Sequence, residues 1–255
     1  ASYMVKKIAQ TGVDVVKFQL GIPEKVYSKN AFKAQYQIKN DKSKSILEMS
    51  KKNQISKKNH LILNKLCKKL KLKYACSAFD FDSLVFLDKK LKVPFFKIPS
   101  GEINSPDMID YISKSKKNII LSTGMATYEE IKFVLKKLKK NGNKNITILH
   151  CVSSYPVQKK NINLNIMDEI KRRFKCEVGY SDHSLGEEAC LAAVSKGAKI
   201  IEKHVTISNS LNGPDHKASI TIDKLKLLVN KIRDLEIILG SKEKKFTKDE
   251  LNNKK

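Results

Sequence analysis

The chain has 255 residues, 41% of them apolar, enough to bury the core of one large α/β domain or two small ones, and no apolar run approaches the ~20 residues that a membrane helix needs. Its formal net charge of +25 invites a nucleic-acid reading, yet only Arg172, Arg173 and Arg233 are arginine. Arginine is the preferred reader of bases and phosphates, and lysine scattered over nearly every predicted helix makes a solvated surface, so specific nucleic-acid binding is set aside and weak anion binding at low salt is kept.

The opening residues 3–10 read as the end of an amphipathic helix stopped at Gly12. Residues 13–19 are a short β-branched run, the pattern of a buried strand. Residues 21–53 are long and polar, with one helical patch near 46–49, and that length marks a functional loop over a barrel mouth. Ser56 caps a helix running to about Leu70; residues 74–77 are the next strand and 82–91 the next helix. Residues 95–99 form a strand leaving through Pro99, and Ser105-Pro106 opens a helix in the cap-then-first-residue order. Residues 118–123 are a strand broken by Gly124, after which Thr127 and Glu130 make a capping box for a helix ending near Gly142. Residues 146–151 are a strand and 164–174 a helix. Two apolar runs then each end in a histidine, His183 and His204, with a helix over 187–196 closed by Gly197 between them. A last amphipathic helix over 223–239 stops at Gly240, and 241–255 is a charged tail. The amino-terminal segment lacks a signal-peptide layout, and Cys67, Cys76, Cys151, Cys176 and Cys190 show no CxxC pairing, which suits a reducing, cytoplasmic setting.

Seven strands alternating with helices argue for parallel βα units. Seven nearly fill an eight-stranded barrel, and a helix end precedes the first. The expected fold is α/β, a (β/α)8 TIM barrel lacking its first strand, with residues 1–240 as barrel and 241–255 as tail. The alternative is a complete seven-stranded open sheet. Polar residues gather at the carboxyl ends of the strands, where chemistry collects in such folds. They are Lys17 and Gln19, Ser77, Lys97 with Ser100 and Glu102, Ser122 and Thr123, His150 with Ser153 and Tyr155, Ser181 with His183, and Glu202 with His204. Burying a lone ammonium is expensive, so Lys17 and Lys97 inside apolar strands imply a bound anion. With the hydroxyls of Ser77, Ser100 and Ser181, that anion suits a phosphate. His183 and His204 stand at neighbouring strand ends and can meet on one metal ion; the alternative is two histidines satisfied by local hydrogen bonds.

Six ordered segments carry a resemblance. They are Val16-Lys17-Phe18-Gln19, Lys97-Ile98-Pro99-Ser100-Gly101-Glu102, Leu121-Ser122-Thr123-Gly124-Met125, Gly179-Tyr180-Ser181-Asp182-His183, Ile201-Glu202-Lys203-His204 and Gly213-Pro214-Asp215-His216. In order and spacing the series resembles the bacterial sialic acid synthases, which include N-acetylneuraminate and legionaminate synthases. Residues 30–40 resemble that family's mouth loop, and the match runs from about residue 1 to 240. The resemblance implies a transferase of sialic acid biosynthesis. It condenses phosphoenolpyruvate with an N-acetylated hexosamine aldehyde, N-acetylmannosamine or a bacterial analogue, to a nonulosonic acid and phosphate. It uses Mn2+ or Mg2+, and the full-length family forms homodimers. Carried over, Lys17, Ser77, Lys97, Ser100 and Ser181 would hold phosphoenolpyruvate, and His183 and His204 the metal. Gln19, Glu102, Tyr155 and Asp215 would contact the sugar, with Ser153 among the substrate-binding set; Lys97, Glu102, His183 and His204 form the catalytic set. The family also opens with a Glu-Ile-Gly-x-Asn-His-Asn-Gly-like strand, whose glutamate is implicated in catalysis, and ends in an antifreeze-like domain. Neither pattern occurs here. Ser77-Ala78 stands where Thr-Pro is usual, and Val152-Ser153-Ser154 where Asn or Thr and Glu often occur. The expectation is the central barrel of such a synthase; the second reading is a barrel that binds ligand or partner without turnover.

Overall fold

Each of the seven apolar runs becomes a strand, because alternate side chains can then be buried on both faces of one sheet. The fold is described from a computed structural model, for residues 1–251, 253 and 254. Helix α1 (Ser2–Ile8) continues as a 3-10 turn to Gly12, whose φ of +82° ends it, and β1 (Val15–Leu20) follows. The polar stretch after β1 is not one long loop. It folds into α2 (Pro23–Val26), α3 (Gln35–Asn40) and α4 (Ile46–Asn53). These are short helices with few apolar positions, so their periodicity is too brief to read in the sequence.

Then come α5 (Lys57–Lys69), β2 (Lys73–Ala78), α6 (Phe81–Phe86) and β3 (Phe95–Ile98). The helix expected over 82–91 ends early as α6 and relaxes into a π turn, Leu87–Leu91. Next are α7 (Pro106–Ser113), β4 (Asn118–Ser122), α8 (Tyr128–Lys139), β5 (Ile146–Cys151), α9 (Ile166–Phe174) and β6 (Glu177–Asp182). The chain closes with α10 (Glu188–Ser195), β7 (Ile201–Lys203), β8 (Val205–Thr206), β9 (Ile220–Thr221), α11 (Ile222–Leu239) and the short α12 (Lys248–Leu251). The caps work as their residue types require. Ser56 Oγ accepts from Asn59 N at 3.2 Å, and in the Thr127–Glu130 box Thr127 N donates to the Glu130 carboxylate at 2.7 Å.

Strands β1 to β7 lie side by side in chain order, every pair parallel, and β8 with β9 forms a small separate parallel pair. The sheet curls until its two edges face each other. Lys17 Nζ on β1 reaches a Glu202 oxygen on β7 at 3.0 Å. Among the described residues β1 and β7 share no backbone pairing, so side chains span this seam. Outside it the helix layer is closed. Arg233 of α11 pairs with Asp14 at 2.9 Å, and a Cβ placed on Gly12 would sit 3.3 Å from Val229. At the mouth Gly213 N donates to the Asn40 carbonyl at 3.2 Å, and Asn40 Nδ2 donates to the Pro214 carbonyl at 3.1 Å. The result is an α/β fold with a curled parallel sheet, the arrangement of a TIM-like barrel. Its lumen opens along the seam as a cavity of about 1670 Å³. No helix among the described residues is long and apolar enough to cross a membrane.

Candidate active site

Register decides which side chains meet. In-register partners of a parallel sheet point to the same face, and every second residue joins them. Gln19 pairs with Ser77, Ser77 with Lys97, Lys97 with Ile120, Thr147 with Glu177, and Ser181 with Glu202. Counting by twos along each strand puts Lys17, Ser77, Lys97, Ser122, Cys151, Ser181 and Glu202 on the one face that lines the lumen. The contacts agree. Lys97 Nζ donates to Ser122 Oγ at 2.7 Å and lies 3.7 Å from Glu202 Oε1. Ser181 Oγ donates to that same oxygen at 2.9 Å. The Cys151 thiol accepts from Gly124 N at 3.1 Å.

Glu202 thus acts as an internal counter-ion between two lysines. Burial alone would push its carboxyl up, but Lys17 and then Lys97 outweigh that and hold it well below the usual carboxylate range. Burial pushes the Lys97 ammonium down to about 8; Glu202 pulls it back up and Lys17 works against it. Beside them Ser77 Oγ is fully buried and has no hydrogen-bond partner. An orphan hydroxyl next to two ammoniums is a group that awaits an acceptor. Ser100 and Ser153 bracket Gly124 at the rim. A Cβ on Gly124 would lie 2.7 Å from each hydroxyl oxygen, and its φ of +49° also favours glycine.

The same register sets the histidines. Asp182 pairs with Lys203 and points out of the lumen, so the next residues, His183 and His204, return to it. Asp182 forms a buried ion pair with Lys203 and accepts from Tyr180 Oη at 3.0 Å and Ser184 Oγ at 2.7 Å. That knot locks the two strand ends together. The imidazole centroids lie 5.5 Å apart. His183 Nδ1 lies 2.7 Å from the Val152 carbonyl, which can only accept, so Nδ1 carries the proton and the Nε2 lone pair is free. Burial lowers both histidines. His204 falls to about 3, with Lys17 and His183 adding to the effect, so both rings are neutral near pH 7. This pair could hold a cation. Among the described residues no group of three or more His, Cys, Asp or Glu is arranged as a metal cage, so water and substrate would complete the coordination.

Burial raises the carboxyls of Glu102 and Asp215. Tyr155 packs on His183 with centroids 4.1 Å apart. Gln19 is exposed just beyond Lys17, on the lumen-facing alternation.

Two strand-end residues do not join. His150 faces the opposite way; its Nε2 contacts the Ile162 carbonyl at 2.7 Å and its ring packs on Tyr180. Thr123 spends its hydroxyl on the Leu149 carbonyl at 3.0 Å. Both belong to the odd member of the alternation, a signal that counting by twos from Lys97 and Ser181 could have supplied. Glu202 and Ser122 stood in the strand-end series without an assigned role, and the geometry gives them one. Cys151 joins them.

One buried and one half-buried lysine with convergent hydroxyls, set beside a neutral histidine pair at the carboxyl ends of a parallel sheet, mark the mouth of a TIM-like α/β barrel as a place where a small anion could be held. Residues 4–244 match the model of the NeuB family, and the chain belongs to that family. It is 42% identical to an N,N'-diacetyllegionaminic acid synthase of Campylobacter jejuni, over 99% of this chain and 76% of that protein. It is 37% identical to the protein of the same name from Legionella pneumophila, over 98% and 72%. Among solved structures it is similar to the N-acetylneuraminic acid synthetase of Leptospira borgpetersenii, determined with citrate. That match has 30% identity and a TM-score of 0.88, over 99% of this chain and 83% of that one.

Proposed function

We propose that this chain is a synthase that condenses phosphoenolpyruvate with an N-acetylated hexosamine aldehyde, giving a nonulosonic acid and inorganic phosphate. The observation that carries the reading is the Lys17–Glu202–Lys97 cluster beside the unpartnered Ser77 hydroxyl, a site made for a small dianion, in a chain so similar to named synthases. The enol carbon of phosphoenolpyruvate forms the new bond to the aldehyde carbon. Water adds at the carbon bearing the phosphate, and phosphate leaves with carbon–oxygen cleavage. Lys17, Lys97, Ser77, Ser100 and Ser181 supply charge and hydrogen bonds to phosphoenolpyruvate, with Ser153 at the rim. Glu102, Asp215, Tyr155 and Gln19 are the acceptor contacts. Positioning and electrostatics in a dry site carry most of such a rate enhancement. Two relatives are named for a diacetylated product. Phosphoenolpyruvate brings no nitrogen, so both acetamido groups of such a product come from the acceptor. An acceptor with two acetamido groups is the first to assay.

Phosphate release from phosphoenolpyruvate and acceptor tests the reaction, and its pH dependence tests the site. Lys97 in the free protein loses its charge near pH 8, and an anion binds its charged form. Affinity for phosphoenolpyruvate should be level near pH 7, where the phosphate is ionised and Lys97 is charged, and fall by up to about tenfold per pH unit above 8. Lys97→Arg should remove the break, since guanidinium stays charged. An affinity flat to pH 9.5 in the wild type would exclude Lys97 from the site.

His183 and His204 fit a Mn2+ or Mg2+ ion by their neutral rings and the free His183 nitrogen. Bound there, the ion would supply Lewis-acid polarisation of the aldehyde oxygen. Water-proton relaxation by Mn2+ should report binding to the wild type and at least about tenfold weaker binding to His183→Ala and His204→Ala. Equal affinity in all three proteins would remove the assignment. The five free cysteines support a reducing, cytoplasmic compartment.

The seam supports a finer reading of the fold. The helix layer is closed over a sheet whose edges β1 and β7 meet through side chains, and Val13, Val15, Ile200, Leu225 and Val229 line the slot between them. One further parallel strand would complete an eight-stranded barrel there.

A further inference from the structure

An aromatic row runs from the histidine pair to the mouth. His204 and His183 have centroids 5.5 Å apart, Tyr155 lies 4.1 Å beyond His183, and Tyr36 stacks on Tyr155 at 5.0 Å with an interplanar angle of 30°. Tyr36 comes from α3, in the insertion after β1, and the insertion is fixed in place. The Lys33 side chain is buried and donates to the carbonyls of Asp41 at 2.7 Å and Ser43 at 3.0 Å, while Asn40 is latched to Gly213 and Pro214, beside Asp215. Burial raises the Tyr36 phenol, and the charge of Asp215 adds to the effect.

We propose that Tyr36 forms the distal wall of the acceptor subsite and selects for a second acetamido group remote from the aldehyde. The proposal rests on the condensation reading above. With the aldehyde at the histidine end, the acetamido group beside it meets Tyr155, and the far half of the sugar extends along the row to Tyr36. A planar acetamide stacks on an aromatic face, and neighbouring carboxyls take the polar edges; apolar walls with a few placed polar groups are how such pockets discriminate.

The test is saturation-transfer NMR and titration calorimetry in the presence of phosphoenolpyruvate. The probes are N-acetylmannosamine and a 2,4-diacetamido hexose, and the proteins are wild type, Tyr36→Phe and Tyr36→Leu. Tyr36→Leu should weaken the diacetamido sugar by about 5- to 10-fold and N-acetylmannosamine by less than about twofold, with the phosphoenolpyruvate affinity unchanged. Tyr36→Phe should retain discrimination. If Tyr36→Leu does not fold, Asn40→Ala, which loosens the latch, should shift the two sugars in the same unequal way. Equal weakening of both sugars, weakening of phosphoenolpyruvate in step, or no change at all overturns the role of Tyr36. A wild type that binds phosphoenolpyruvate but neither sugar overturns the condensation reading itself.

Discussion

Lys97→Met should weaken phosphoenolpyruvate binding by about 30-fold or more while leaving the protein as stable as the wild type or more so. The side chain of Lys97 is 3% exposed, and its ammonium donates to Ser122 and lies 3.7 Å from the Glu202 carboxylate. Losing a charge-assisted contact to a phosphate in a site that excludes water costs about 2 kcal/mol or more, a factor of about 30 in affinity. Condensation should fall further, because the same charge stabilises the departing phosphate. Stability moves the other way. Burial has pushed Lys97 down to about 8, so its charge is held in the fold at a cost. Replacing a buried ion-pair member with an apolar side chain of similar length is often neutral or stabilising, provided the partner keeps another counter-ion. Glu202 keeps Lys17 at 3.0 Å and Ser181 at 2.9 Å. Calorimetric titration and a thermal melt on the same sample separate the two effects. Lys139→Met, on the exposed face of α8, is the control for the general positive field. Equal loss of binding in both variants would mean that the overall charge of +25, and no built site, attracts the anion.

The second large effect concerns the seam. An extended segment supplied in cis before residue 1, or as a separate peptide, should enter the slot between β1 and β7 and raise both thermal stability and turnover. Among the described residues the facing edges of β1 and β7 share no backbone pairing, and an inserted strand would give each of them a ladder. If the strand contributes on the order of 3–5 kcal/mol, the melting temperature should rise by about 10 °C. The strand needs apolar residues on the face toward α1 and α11, where Val5, Ile8, Leu225 and Leu228 wait, and small or polar residues toward Lys17 and Glu202. The decisive control is the same peptide shifted by one residue, which turns its apolar face inward. A melting temperature that does not respond, or that responds equally to the shifted peptide, would show that the seam is not a strand site.

Much of this is legible in the sequence. A strand forms wherever a short β-branched run is bounded by turn residues, so Ile146 to Cys151 could be placed to the residue, and Ser56, Thr127 and Gly197 mark helix ends through local hydrogen bonds and backbone freedom alone. Strand alternation is a property of covalent geometry, so the lumen-facing class that joins Lys17, Ser77, Lys97, Ser181 and Glu202 was implicit in the spacing. Which member of each alternating pair faces the lumen was not, because that choice is made by packing against helices far away in sequence; His150 turned outward onto Tyr180 for that reason. The Lys17–Glu202 contact joins the first and last strands of the sheet, and no local pattern encodes it. The three helices of the mouth insertion are too short to hold their shape alone. Lys33, Asn40 and Tyr36 fix α3 by contacts with its own loop, with the segment after β8 and with Tyr155, and Lys51 of α4 pairs with Glu24 of α2. The sequence by itself determined the strands, their caps and the kinds of chemical group at their ends. The curl of the sheet decided which groups meet, since that depends on long-range burial and on the closing of one edge toward the other.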